Sequence, residues 1–349
     1  MHMADALISP AVGGTMWAAG AGLIAWCARK VKGICDDRLV PMMGVMGAFI
    51  FASQMINFSI PGTGSSGHLG GGLILTILLG PHAAFLVIAS VLTVQALFFA
   101  DGGLLALGCN VFNLGFFPAF IAYPFIYRPI AGEARVGARA WLAAIAAAVA
   151  GLQLGAFGVV LETKSSGISE LPFGAFLMLM QPIHLAIGVV EGLATAAVVE
   201  FVARVRPEAI ATTSAQEGER RGLGPVLIGL LVATALVGGG LSWFASAHPD
   251  GLEWAIGKVT GKEELEGTEN GLRGHAARVQ EKTAFLPDYG FKQTEPEPAA
   301  SQAPAEPEAE PWPAVSAGTS VSGIVGGLIT LAVAGLIGYF LRKGRRVAT

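Results

Sequence analysis

The chain starts Met1-His2-Met3, its densest set of metal-binding nitrogens. The α-amine, the His2 amide and the His2 imidazole follow one another along two residues of backbone. One metal bound by all three closes a five-membered and then a six-membered chelate ring. The bulky His2 side chain favours retention of Met1, and with it the amine. A second imidazole sits in the stretch QMINFSIPGTGSSGHLGGG, residues 54–72. Gly62, Gly64 and Gly67 allow tight backbone turns that other residues resist, so the loop can bring His68 back into the bundle. Four nitrogens in a plane suit Ni(II) or Cu(II), and Co(II) less well. Zinc prefers a tetrahedron, and an amide nitrogen is not among its usual ligands. Either histidine alone reads more readily as an ordinary residue than as a ligand. The two together point to a metal.

Further polar residues stand in apolar surroundings. His184, Gly188 and Glu191 are spaced by four and three, which puts them on one helix face. Gln54 and Asn57 close the second apolar stretch, Asn110 and Asn113 lie in the fifth, and Asp101 begins the turn before it. Ionisable groups at such depth are costly and usually face a bundle interior or a cavity. Two roles stay open for Gln54, Asn57, His184 and Glu191: orienting the ligating imidazoles, or hydrogen bonding between helices. His82 falls in a turn at the other side, and His248 and His275 in an acidic segment, so none of the three is assigned to the site. Gly62 and Gly67 have the spacing of a phosphate loop, but His68-Leu69 follows instead of Lys-Ser/Thr, which excludes nucleotide binding. No Ser, His and Asp arrangement pairs a nucleophile with a base, so catalysis is not expected. Cys27, Cys35 and Cys109 are odd in number and scattered, which fits neither a disulfide framework nor a thiolate site. Basic stretches interleaved with aromatics are missing, and nucleic acid is not an expected partner.

The elements that must carry these residues are membrane helices. The 349 residues are 53% hydrophobic and 13% charged, with mean hydropathy +0.61, whereas a soluble domain carries about 25% charged residues. Spanning a bilayer takes about 20 apolar residues of helix. Nine apolar stretches qualify for consideration: 8–28, 39–58, 69–80, 82–99, 105–127, 138–161, 181–204, 224–245 and 319–341. The third is short and glycine-rich, and reads as a broken or buried segment covered by protein. Basic clusters at Arg29–Lys32, Arg128–Arg139, Arg204–Arg221 and Arg342–Arg346 fall on one side if the spans alternate. The positive-inside rule makes that side cytoplasmic, with the N-terminus outside, the C-terminus inside, and His2 and His68 both facing outward. The first helix has no basic n-region and its cations follow it, so it reads as a retained span, not a signal sequence.

The expected fold is therefore an all-α polytopic membrane protein of about seven spans in residues 1–204, then two further transmembrane helices. Residues 205–223 read as a cytoplasmic linker, and residues 224–349 as a two-helix companion with an outside segment over 246–318. Residues 249–318 hold 13 acidic against 6 basic side chains, a local net charge of -7. Their Glu/Pro/Ala-rich stretch, 295–313, cannot bury enough apolar surface to fold and is expected to stay extended. Gly14, Ala18 and Gly22 recur every four residues, and Gly323, Gly327 and Gly335 form a similar row. Such faces let helices approach closely, either within this chain or against another membrane subunit.

The start MHMADALISP, residues 1–10, resembles the substrate-capture membrane components of nickel and cobalt energy-coupling-factor transporters, the CbiM/NikM family. The Gln54–Gly72 stretch with His68, the Asp101–Asn113 stretch and the His184–Glu191 stretch are similar to that family too. Residues 223–349 resemble its small companion subunit, with a PDGLE-type segment opening at Pro249. The resemblance implies a prokaryotic plasma-membrane subunit that captures Ni(II) or Co(II) as its transported substrate. Met1, His2 and His68 would be the ligands. A separate transmembrane coupling (T) protein and a pair of cytoplasmic ATPases would drive release, and Gly14, Ala18 and Gly22 become a candidate contact for the coupling protein. Planar nitrogen ligation leans the choice towards nickel. The competing reading is an ion-coupled carrier or channel that uses His184 and Glu191 as a proton relay, although no inverted repeat is visible.

Overall fold

The computed structural model describes residues 2–205, 223–263, 265, 271–292 and 312–346. Met1, nearly all of the linker and the Glu/Pro/Ala stretch from 295 to 311 lie outside the described residues.

After a 3-10 turn at Asp5–Leu7, α1 (Pro10–Ile34) opens with Pro10 in its first turn and the Ser9 hydroxyl accepting from the Val12 amide. That pairing is the usual way to satisfy an orphan N-terminal donor. α2 (Leu39–Gln54) runs back through the centre of the bundle, buried from Met42 to Gln54. It stops three residues short of a two-stranded antiparallel hairpin, β1 (Phe58–Ile60) and β2 (Ser65–Gly67), paired Phe58 to Gly67 and Ile60 to Ser65. Gly62 and Gly64 take φ of 77° and 74° in its turn. The chain then re-enters the bundle through His68–Gly71 and forms α3 (Gly72–Leu79), eight residues buried throughout. At 1.5 Å per residue α3 is only about 12 Å long, too short to cross alone. Its neighbour α4 (Pro81–Phe98) follows after Gly80 alone.

The next span joins α5 (Leu107–Val111), a π-helical stretch at Phe112–Tyr127 and α6 (Arg128–Ala131). Pro118 and Pro124 lie inside the stretch. Proline cannot make the ordinary helical bond, and the wider π ladder tolerates the loss. α7 (Ala138–Ser166) and α8 (Phe173–Val205) form a tight antiparallel pair, in which a Cβ on Gly188 would lie 2.8 Å from the Val149 backbone. α8 starts at Phe173 and runs through Pro182, ahead of the apolar stretch read at 181–204. Six of these segments, with the last helix counted, are long and apolar enough to cross a membrane.

In the C-terminal part, α9 (Gly224–Gly239) and α12 (Ala317–Arg346) pack on α2, and α10 (Gly251–Thr260) and α11 (Gly271–Thr283) lie between them in sequence. A Cβ on Gly44 would come 2.9 Å from the Leu331 carbonyl oxygen. Gly323 faces Gly238, and Gly335 faces Gly44, so this small-residue row is consumed by packing within the chain. The row on α1 is different. Gly14, Ala18 and Gly22 are exposed, and α1 turns Gly13, Gly20, Cys27 and Val31 inward instead. At the end opposite His2, Arg342 pairs with Asp37 and Gly344 lies against Lys32.

Candidate metal-capture site

The N-terminal segment is fixed by hydrogen bonds of its backbone and of Asp5. The Met3 amide donates to Asn110 Oδ1 at 2.8 Å, and Asn110 Nδ2 returns a bond to the Met3 carbonyl at 3.2 Å. The Gly103 amide donates to the same carbonyl at 2.9 Å. Asp5 Oδ1 accepts from the Ala106 amide at 2.9 Å. Residues 3–5 are thereby docked on the Asp101–Asn110 stretch, which leaves His2 held over the interior.

His2 and His68 meet there. Their rings stack at 28°, with centroids 4.9 Å apart. The His68 Nδ1 donates to the Leu69 carbonyl at 3.0 Å, which leaves the lone pair on Nε2. Burial pushes the His68 pKa down to about 3, so the ring stays neutral. Among the described residues, no group of three or more His, Cys, Asp or Glu side chains is arranged to hold an ion.

The His2 ring donates from Nδ1 to Asp101 Oδ1 at 2.6 Å, and its Nε2 is buried without a partner. The six-membered chelate ring expected for His2 closes through Nδ1. A metal bound through that ring would take the place that Asp101 holds. Burial alone would raise the Asp101 pKa, but the charge and hydrogen bond of His2, then the Tyr289 hydroxyl, outweigh it and hold it at about 2. The Tyr289 ring stacks on Phe99 at 5.2 Å and donates its hydroxyl to Asp101 Oδ2.

The His68 loop is braced from below. The Gly70 and Gly71 amides donate to the Glu191 carboxylate at 2.8 and 3.1 Å, and Gln54 Nε2 donates to the Gly70 carbonyl at 2.8 Å. Gln95 Nε2 donates to Gln54 Oε1 at 2.9 Å and lies 3.3 Å from the Tyr289 hydroxyl. One chain of contacts thus runs from Glu191 through both glutamines and Tyr289 to Asp101 and His2. His184 is buried, its Nδ1 donating to the Met180 carbonyl at 2.8 Å. It lines a small cavity with His68 and Asp250, one turn from the loop but without a bond to either imidazole. Asn57 lines the larger cavity near His2, and its carbonyl accepts from the Ser246 amide. Asn113 turns away and donates to Glu162.

The C-terminal part reaches the same place. The Ser66 amide donates to the Pro249 carbonyl at 2.8 Å, so Pro249-Asp250 runs beside β2 as a parallel neighbour. Asp250 caps α10, accepting from the Leu252 and Glu253 amides. Gly251 presses on α8, where a Cβ would lie 2.5 Å from Ile183. Gln280 donates to the carbonyls of Ala96 and Gly102, and the Leu286 and Asp288 amides donate to those of Phe98 and Phe99. Those of Ala96, Phe98 and Phe99 are the orphan acceptors at the end of α4. Sequence reading missed Gln95, Asp250 and Tyr289. Gln95 was detectable as a lone amide in an apolar helix. Asp250 opens an Asp-x-x-Glu helix start, a signal for its capping role and not for its place beside His68, and Tyr289 carried no local signal.

The family described as "Cobalt uptake substrate-specific transmembrane region", CbiM, matches residues 2–209, and the PDGLE domain matches residues 224–343. A fused nickel transport protein NikMN of Archaeoglobus fulgidus is 31% identical over the full length of both chains. The fused nickel transport protein NikMN of Rhodobacter capsulatus is 29% identical over 83% of this chain and 88% of its own. A crystal structure of a truncated transition metal transporter superposes with TM-score 0.52 at 30% identity, covering 59% of this chain and 99% of that one.

Proposed function

Since this chain belongs to the CbiM family of substrate-specific transmembrane regions for cobalt uptake, with a PDGLE domain in the same polypeptide, we propose that it captures nickel or cobalt for an ATP-driven importer. The metal arrives on the outer face and is bound by the Met1 amine, the His2 amide and imidazole, and the His68 imidazole. Gln54, Glu191 and Asn57 steady the loops around it, and His184 lies beneath. A coupling (T) protein docks on the exposed Gly14, Ala18 and Gly22 face, and cytoplasmic ATPases drive release. Planar nitrogen donors favour nickel over cobalt, and cellular supply must exclude copper, which binds such donors more tightly.

The observation that carries this reading is the facing pair His2 and His68, 4.9 Å apart, above an N-terminal segment already docked by Asn110. A proton-coupled carrier built on His184 and Glu191 has less support, because Glu191 is engaged by two loop amides. Adding one residue before Met1, or making His2→Ala, should abolish tight nickel binding in a calorimetric titration and leave the thermal unfolding profile in place. His68→Ala should keep three nitrogens and weaken binding strongly. Unchanged nickel affinity in the extended chain would refute the terminal ligand set.

A further inference from the structure

At the end of the bundle that carries His2, a cavity of about 580 Å³ separates the N-terminal loops from the C-terminal segment. Six carboxylates line it. Asp5 and Asp101 come from one wall, and Asp250, Glu253, Glu263 and Asp288 from the other. Among the described residues lining it there is no Lys or Arg, and the terminal ammonium is a cation acting on Asp250 and His68. Arg273 is felt at Asp5 but does not line the cavity.

A concave wall in which one charge sign prevails focuses the field into the space it encloses. Two of the cavity's residues also present buried atoms with no hydrogen-bond partner: Nε2 of His2, whose side chain is 7% exposed, and Oδ2 of Asp5. Asp5 Oδ2 is an acceptor, and so is His2 Nε2 in the tautomer that carries its proton on Nδ1, facing Asp101. Leaving a buried acceptor unsatisfied is unfavourable. A cation with its water shell brings O–H donors to both atoms and positive charge to the carboxylates. An anion brings neither. Six waters at about 30 Å³ each fill about 180 Å³, so the space admits the ion with its first shell intact.

We propose that this cavity is an antechamber for the hydrated divalent cation, in which the C-terminal segment supplies the charge that draws the aqua ion towards His2 and turns anionic chelates away. The identity of the ion rests on the capture reading above. The acidic wall acts on arrival, before any ligand exchange, and so belongs to the association rate.

The test is stopped-flow mixing of nickel chloride with the full chain in detergent, at low and high salt. The variant is Glu263→Gln with Asp288→Asn, in which asparagine tolerates the φ of 50° at position 288. Neither side chain is hydrogen-bonded to His2 or His68 in any contact described above. The association rate should fall about three- to tenfold at low salt, out of the 10- to 1000-fold that such fields supply. It should converge on the unaltered chain at high salt, where screening removes the field. The dissociation rate and the absorption of the bound ion should not change. Nickel presented as its anionic citrate complex should gain relative to the aqua ion. Equal association rates at low salt would overturn the antechamber, as would an altered bound-state spectrum, which would mean that these residues shape the ligand set. Glu263→Gln alone, with half the charge removed, guards against misfolding of the double variant. If the unaltered chain shows no nickel spectrum, the capture reading fails instead, so the two failures are separable.

Discussion

At the scale of single residues, Asn110 decides where the terminus goes. It grips Met3 through both its amide atoms, two residues from where the chain begins. Asn110→Ala should lower nickel affinity about 10- to 100-fold, the cost usual for removing a group that orients a ligand. The visible spectrum of the bound ion should stay the same, since no donor atom is lost. Undiminished affinity in a titration would show that the terminus orders itself without this clamp. Residue chemistry was the most legible level in the sequence. A histidine beside an amine, and a second histidine ringed by glycines, announce metal chemistry by type alone. What the sequence could not announce was the Asp101 carboxylate on His2, because that contact spans 99 residues and depends on how α4 ends.

At the scale of elements, the hairpin and α3 make the loop that presents His68. Hydropathy located the helices well, because a bilayer imposes a length and an apolar surface that composition reveals. It gave no sign of the hairpin: strands of three residues are defined by their partner, not by their own pattern. Nor did it give the π-helical stretch, although Pro118 and Pro124 in an apolar run marked the place. Glycine at 71 is the sharpest requirement here. Its φ is +77°, and a Cβ would lie 2.7 Å from Ile50. Gly71→Ala should cost about 1–2 kcal/mol for the left-handed backbone and about 1–3 more for the overlap. It should therefore lower the unfolding temperature and weaken nickel binding together. Gly62→Ala has the same φ of +77° with open space around it, so it should leave nickel binding in place. Equal damage from both, read by thermal unfolding and titration side by side, would locate the loss in backbone strain alone.

At the scale of the whole molecule, the two family matches meet across a buried seam. α12 and α9 close on α2 through Gly44, Gly326 and Gly338, with Phe51 and Met43 filling the spaces. Residues 1–204 and 224–349, produced as separate chains, should therefore copurify in detergent, and Gly44→Leu should separate them. Failure of the halves to associate would mean that the linker, not the seam, keeps them together. No pattern in either half foretold this seam, because each row of small residues fits a partner in trans as well as one in cis. The seam also fixes an order in time. Asp101 waits for Tyr289, 188 residues further along, and a ribosome adding about 5–20 residues per second needs about 10–40 s to supply it. During that interval the first residues made have no finished place to rest. The pocket matures last, as a clasp closed by the tail of the polypeptide on its head, and a chain cut short in translation would carry both histidines and still lack the clasp.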